Sequence, residues 1–168
     1  LALPTGLRGR ALMDVLYATG IRLNELLQLE ISQVDLSERV LQVRHGKGRR
    51  QRVVPLSKAA CRSLKLYLEQ VRPRQARKSR SERRLFLQRA GRPMSPESVR
   101  EILRKYRVSA GISTPVSPHT FRRTCATHLL QQGADIRYIQ KLLGHQHLST
   151  TQIYTKVVPT EVKETHNK

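Results

Sequence analysis

Apolar side chains recur at helical spacing from the beginning of the chain. Over residues 6–19, Leu7, Ala11, Leu12, Val15, Leu16 and Ala18 fall on one face of a helix, and Gly20 is placed to end it in a left-handed conformation. A second, short helix is expected over about residues 22–29, with Leu23, Leu26, Leu27 and Leu29 as its apolar positions. Residues 31–34 read as a short strand. The period then changes to two: Val40, Gln42 and Arg44 alternate with Leu41, Val43 and His45. After Gly46-Lys47-Gly48 comes a second β-rich run, Gln51 to Pro55. The two runs read as a hairpin with Lys47 at its tip.

Helix signals then dominate. Ser57 can cap a helix over residues 58–71. Residues 72–84 carry seven basic residues against one acid, Glu82, at no regular period, and read as a loop or linker. Residues 85–87, Leu-Phe-Leu, form a small apolar island that suits a strand. Ser95 and Pro96 provide a cap and a first-turn proline for a helix to about residue 110, stopped by Gly111. Ser117 and Pro118 do the same for a helix to about residue 132, with Gly133 behind it. Asp135 caps a helix over residues 136–143, and Gly144 ends it. Ser149 heads a last helix through Tyr154 to about residue 157. The sum is a mainly α domain with one small antiparallel β-sheet and no internal repeat.

At 168 residues the chain suits one domain and can bury one core. No apolar run approaches the roughly 18–20 residues of a membrane span, and the first residues lack the apolar stretch of a signal peptide. Cys61 and Cys125 form no C-x-x-C pair, so a reducing compartment is expected. Leu1 in place of an initiator Met leads to the expectation of a piece of a longer chain.

Charge narrows the function further. The chain has 32 Lys+Arg and 12 Asp+Glu, a formal net charge of +20. Such a chain repels itself unless it meets a polyanion, most commonly nucleic acid. A membrane surface would call for a basic amphipathic helix with an aromatic face, and none is present. Aromatics are 4 % and Trp is absent, which argues against base stacking on single strands and favours the backbone of a duplex.

Four places could do chemistry. His119 and Arg122, three residues apart, share a face at the head of a helix, where free N–H groups and the dipole favour an anion. A solvated basic helix head is the plainer reading. His145 follows the helix-ending Gly144, and Tyr154 lies among Thr150, Thr151, Gln152 and Thr155, a polar setting unusual for a core Tyr. The Lys47 tip could reach into a cleft or be an exposed basic turn. Arg22 heads a helix and either faces a ligand or pairs with Glu25. His145 and His147 could bind zinc, but two ligands without a Cys pair make a weak site.

Taken together, the stretches Thr19-Gly-Ile-Arg-Leu-Asn-Glu-Leu26, Gly46-Lys-Gly48, His119-Thr-Phe-Arg122 and Leu142-Leu-Gly-His-Gln-His-Leu-Ser-Thr-Thr-Gln-Ile-Tyr154 resemble the tyrosine recombinases, the family of phage-type integrases and Xer-like resolvases. The resemblance runs from about residue 3 to 157, with four motifs in the family's order. It implies that family's catalytic-domain fold and six active-site positions: Arg22, Lys47, His119, Arg122, His145 and Tyr154. It further implies a catalytic domain over residues 1–168 with a tail from about residue 158, and a separate N-terminal DNA-binding domain outside this chain. Arg123 stands where many members have His, Cys125 where an aromatic is frequent, and Asn24 where a smaller residue is usual.

The implied reaction is transesterification of DNA. Tyr154 attacks a phosphate, giving a 3′-phosphotyrosine and a free 5′-hydroxyl. His119 is the candidate base and Lys47 the candidate acid. Arg22, Arg122 and His145 would stabilise the transition state, without a metal or other cofactor. Arg44, Arg49, Arg50, Arg52 and Arg123 are expected on the DNA backbone, which positions without reading sequence. The implied partners are double-stranded DNA and other protomers of the same recombinase, met through the C-terminal tail, in the bacterial cytoplasm. A type IB topoisomerase could use the same constellation, and a non-catalytic DNA-binding module would account for the charge alone.

Overall fold

The first helix becomes the centre of the core. In the computed structural model, which describes residues 4–44, 51–79 and 81–145, α1 (Pro4–Thr19) buries Ala11, Leu12, Val15 and Leu16 completely. It packs against helices α3 (Lys58–Leu66) and α6 (Pro118–Gln131). Gly20 ends α1 at φ 60°, as its sequence position suggested, and α2 (Leu23–Gln28) starts at once. The positive φ of Gly20 strains any side chain, and a Cβ there would stand 2.5 Å from a methyl of Leu143, so this corner favours glycine.

The sheet has three antiparallel strands in the order β1 (Val34–Asp35), β2 (Val40–Arg44) and β3 (Gln51–Pro55). Leu41 lies opposite Val54, and Val43 opposite Arg52. Leu41, Val43 and Val54 point into the core, while Val53 is exposed, so the two-residue period set the faces as expected. Residues 31–34 do not form the expected strand. Ile31–Gln33 make one 3₁₀ turn, closed by the buried Gln33, whose Oε1 accepts the Glu30 N–H at 2.9 Å and whose Nε2 donates to Gln42 O.

The largest departure from the sequence reading lies beyond α3. The helix does not stop at residue 71. It widens into a π-turn, Tyr67–Val71, and resumes as α4 (Arg72–Ala76). The wide turn precedes Pro73, which has no N–H to give to a preceding carbonyl. Arg72 is only 7 % exposed. Its guanidinium donates to the carbonyls of Glu82 at 2.8 Å and of Arg84 and Leu85 at 3.0 and 3.1 Å. Thus the first charge of the basic run is a structural bolt. Residues 85–87 form no strand of their own but are drawn inward. Leu85, Phe86 and Leu87 are buried, Phe86 stacks on Tyr67, and the Tyr67 hydroxyl accepts the Leu87 N–H at 3.0 Å.

Three capped helices complete the described residues. Ser95 accepts from the Ser98 N–H ahead of α5 (Pro96–Ser109), Ser117 from Thr120 ahead of α6, and Asp135 from Arg137 ahead of α7 (Ile136–Leu143). Ala126 of α6 meets Ile139 and Leu143 of α7 in a small second core. No described helix is long and apolar enough to cross a membrane.

Arg72→Ala removes the donor from the part-buried carbonyls of Glu82 and Arg84 and leaves the buried Leu85 carbonyl to the Tyr67 hydroxyl alone, and should cost about 2–4 kcal/mol in urea unfolding. Arg77→Ala, in the same run but exposed, should stay within about 0.5 kcal/mol. Equal, small effects from both would mean that Arg72 does not hold the segment.

Candidate active site

The ends of three helices meet at one place. α1 ends at Gly20, α2 begins at Arg22, and α7 ends at Gly144. Helix C-termini present carbonyls that no turn of the helix can satisfy, and a partial negative charge. Arg122, in the second turn of α6 and 4 % exposed, answers both C-termini. It donates to Gly20 O at 2.6 Å and to Leu143 O at 2.7 Å. The bond to Gly20 fixes the corner from which Arg22 projects. The bond to Leu143 fixes the turn that presents His145.

Arg22 is held from the other side by Glu25. One carboxylate oxygen of Glu25 accepts the Arg22 backbone N–H at 2.9 Å, and the other stands 3.7 Å from Arg22 Nη1. The Arg22 side chain remains 41 % exposed. The ion pair considered as the plain reading of Arg22 therefore exists, and it leaves much of the side chain open.

Glu25 has a second and closer partner. Arg52 of β3 donates both terminal nitrogens to it, at 2.8 and 2.9 Å, and its Nε to Leu142 O at 2.8 Å. Burial works against the Glu25 charge, but the Arg52 hydrogen bonds, the Arg22 N–H and the two guanidinium charges outweigh it and hold the carboxyl down at about 2. This corrects the expectation for Arg52. It does not stand out toward a DNA backbone: its side chain is 14 % exposed and turned into the protein. The signal was present in the sequence, since Arg52 shares its strand parity with the buried Val54 and Leu56.

His145 is half-buried behind Gly144, its N–H bonded to Gln140 O at 3.1 Å. Burial, then the charges of Arg122, Arg22 and Arg52, push its imidazole down to about 4. The charges of Arg122, Arg22 and Arg52 thus all act on this one ring. Arg22, Arg122 and His145, far apart in the chain, are thus brought together. His119 is exposed in the first turn of α6, one helical turn before Arg122. Arg123 is exposed beside it, and Arg44 is exposed at the end of β2, 4.0 Å from Glu30. Lys47, Arg49, Arg50, Tyr154 and His147 lie outside the described residues.

A groove of about 860 Å³ opens from Arg22 along α2, past Asn24 and Gln28, to Arg44 and Arg84. Its arginines suit a phosphate backbone. Among the described residues, no three His, Cys, Asp or Glu side chains gather where a metal ion could be held. Cys125 is buried beside Arg122, and burial lifts its thiol to about 11, against the pull of that arginine. An inert apolar filler fits there.

The chain is similar to known proteins in sequence and in fold. The profile of the phage integrase family matches residues 2–161. The chain is 39 % identical over 168 residues to tyrosine recombinase XerD of Staphylococcus saprophyticus, covering 100 % of this chain and 56 % of that protein. To tyrosine recombinase XerD of Bifidobacterium longum it is 42 % identical over 167 residues, covering 97 % and 54 %. The chain therefore spans about half the length of the curated relatives it matches. Among solved structures, XerA recombinase aligns with a TM-score of 0.85 at 35 % identity, over 98 % of this chain and 58 % of that one. XerH site-specific recombinase, in a post-cleavage complex with palindromic difH substrate, aligns at 0.82 and 26 % identity, over 98 % and 46 %. The mainly helical architecture with its small sheet is the fold of these recombinases' catalytic domains. By the match along nearly its whole length and by these relatives, the chain belongs to the phage integrase family, the tyrosine recombinases.

Proposed function

We propose that this chain is the catalytic domain of a site-specific DNA recombinase that breaks and rejoins strands through a 3′-phosphotyrosine. The observation that carries the reading is the meeting of Arg22, Arg122 and His145 at the ends of three helices. A phosphate between the two arginines would receive planar forks of donors and a neutral imidazole N–H. That is a preorganised cradle for the charge on the non-bridging oxygens of a transition state.

The Tyr154 hydroxyl attacks phosphorus as its proton passes to His119, which stands exposed and one turn from Arg122. The bond to the 5′-oxygen breaks, and that oxygen takes a proton from Lys47. The phosphodiester is conserved as a tyrosyl ester, so no nucleotide cofactor is consumed. The 5′-hydroxyl of a partner strand then attacks the ester and restores the tyrosine. Exposed Arg44 and Arg123, with Arg49 and Arg50, would hold the duplex by its backbone. The XerH relative is seen with its difH substrate, which supports double-stranded DNA as the partner here. Assembly with further protomers through the tail from about residue 158, and action in the bacterial cytoplasm, complete the proposal.

Three outcomes test it. With nicked duplexes selected by this protein from random sequence, a covalent adduct should form and map to Tyr154 by mass spectrometry. Tyr154→Phe should abolish it while binding the same DNA, and an adduct on another residue would contradict the mechanism. Lys47→Ala should slow cleavage of ordinary DNA by about 10²–10⁴-fold. It should cleave a 5′-bridging phosphorothiolate nearly as fast as the unaltered protein, because a thiolate leaves without a proton. A defect equal on both substrates would remove Lys47 as the acid.

The third outcome concerns His145. Its imidazole is held down by burial and by Arg122, Arg22 and Arg52. A phosphate seated on Arg22 and Arg122 offsets their charge, so the imidazole pKa should rise on binding uncleaved duplex, by about one unit or more. A group whose pKa rises on binding takes up a proton, so DNA affinity should strengthen as pH falls through the bound-state value toward 4. Ring-resolved NMR on the Tyr154→Phe complex measures it, and an unchanged or lower pKa would mean that no phosphate occupies the cradle.

A further inference from the structure

We propose that Arg52 is a positioning residue for strand cleavage: one guanidinium joins β3, the start of α2 and the end of α7, and so sets Arg22 and His145 against each other. The inference rests on the reading above. It concerns a residue that the charge pattern alone assigns to the DNA backbone.

The geometry is specific to an arginine. The side chain crosses from β3 into the protein and is 14 % exposed, against 7 % for Glu25. Its two terminal nitrogens take both oxygens of Glu25, and its Nε takes Leu142 O. All three bonds come from one guanidinium, a set of donors that a lysine ammonium cannot reproduce. Each partner leads on to an active-site position. Through Glu25, which also accepts the Arg22 N–H, Arg52 reaches the first turn of α2. Through Leu142 it reaches the last turn of α7, where the next carbonyl, Leu143 O, belongs to Arg122. Two arginines from separate elements therefore take adjacent carbonyls, two and three residues before His145.

Gly144 shows how closely Arg52 is fitted. The residue has φ +68°, and a Cβ on it would stand 2.8 Å from Arg52 Nη1 and 3.0 Å from its Cζ. The helix end is thus shaped around the guanidinium. The strand that carries Arg52 follows the stretch in which the sequence places Lys47. Its firmest ties, however, run to α2 and α7, and the cradle for the phosphate is what it should control.

The test compares Arg52→Met and Arg52→Lys with the unaltered full-length protein. Binding and single-turnover cleavage are measured separately, on nicked duplex and on its 5′-bridging phosphorothiolate. Both variants should bind DNA within about threefold of the unaltered protein, because Arg52 does not reach the backbone. Cleavage should fall about 10²-fold or more in Arg52→Met. Arg52→Lys, which keeps the charge and loses the fork, should recover less than tenfold of that loss. The phosphorothiolate should not restore either, since the defect lies in the cradle and not in protonation of the leaving group.

Three results would overturn the proposal. Binding weakened in step with cleavage, with the salt slope reduced by about one, would make Arg52 a phosphate contact. Full rescue by the phosphorothiolate would mean that it acts through Lys47. Unchanged cleavage would mean that it positions nothing.

A DNA-free arm covers the remaining cases. His145 is faced by Arg122 of α6, Arg22 at the head of α2 and Arg52 of β3, with Glu25 between the last two. In the free protein, NMR should show its ring resonances displaced in Arg52→Lys and its pKa raised from about 4 in Arg52→Met. Unmoved resonances in Arg52→Lys would contradict the tie even if Arg52→Met fails to fold. Should the unaltered protein form no adduct on any selected duplex, the recombinase reading fails, and this arm still decides whether Arg52 positions His145.

Discussion

The buried carboxylate of Glu25 is the constraint around which the site is organised. It stands between two arginines, one of them largely buried as well, and stays ionised far below the usual carboxylate range. A buried ion pair is a poor source of net stability, because both charges give up their hydration. What it supplies is direction. Each oxygen of Glu25 has an assigned donor, and those donors belong to the strand that follows the hairpin and to the first turn of α2. Arg122 does the same for the ends of α1 and α7. Backbone groups that helices cannot satisfy by themselves thus fix the side chains that would meet a phosphate.

The local signals in the sequence were read well where one physical cause dominates. Ser95, Ser117 and Asp135 cap the helices they were expected to cap, and Gly20 and Gly144 end theirs in the left-handed region. The alternation in β2 and β3 gave the correct faces. The reading failed where a tertiary partner decides. Arg72 looked like one more charge in a solvated run, yet carbonyls ten and more residues away bury it. Residues 31–34 looked like a strand because nothing local shows that the Gln33 side chain will close a turn.

The candidate site divides in the same way. Residue types and order pointed to Arg22, His119, Arg122 and His145, and the fold brings Arg22, Arg122 and His145 to one place. Charge counting, by contrast, treats all arginines alike. It put Arg52 with Arg44 and Arg123, although only the last two are exposed. Strand parity separates them, because an arginine on the buried face of a strand must find its partners inside the protein. The surplus of positive charge is therefore of two kinds. Part is structural, in Arg52, Arg72 and the anchored Arg122, and part lies along the groove and on the α6 surface, where a duplex could meet it.

The most direct test of the cradle is a structure of the protein on nicked duplex with vanadate in place of the scissile phosphate. The account predicts vanadium between Tyr154 and the 5′-oxygen, with its equatorial oxygens bonded to Arg22, Arg122 and His145, and with Arg52 still on Glu25 and Leu142. Vanadate seated elsewhere along the groove, over Arg44 or Arg84, with no contact to Arg22 and Arg122, would contradict it.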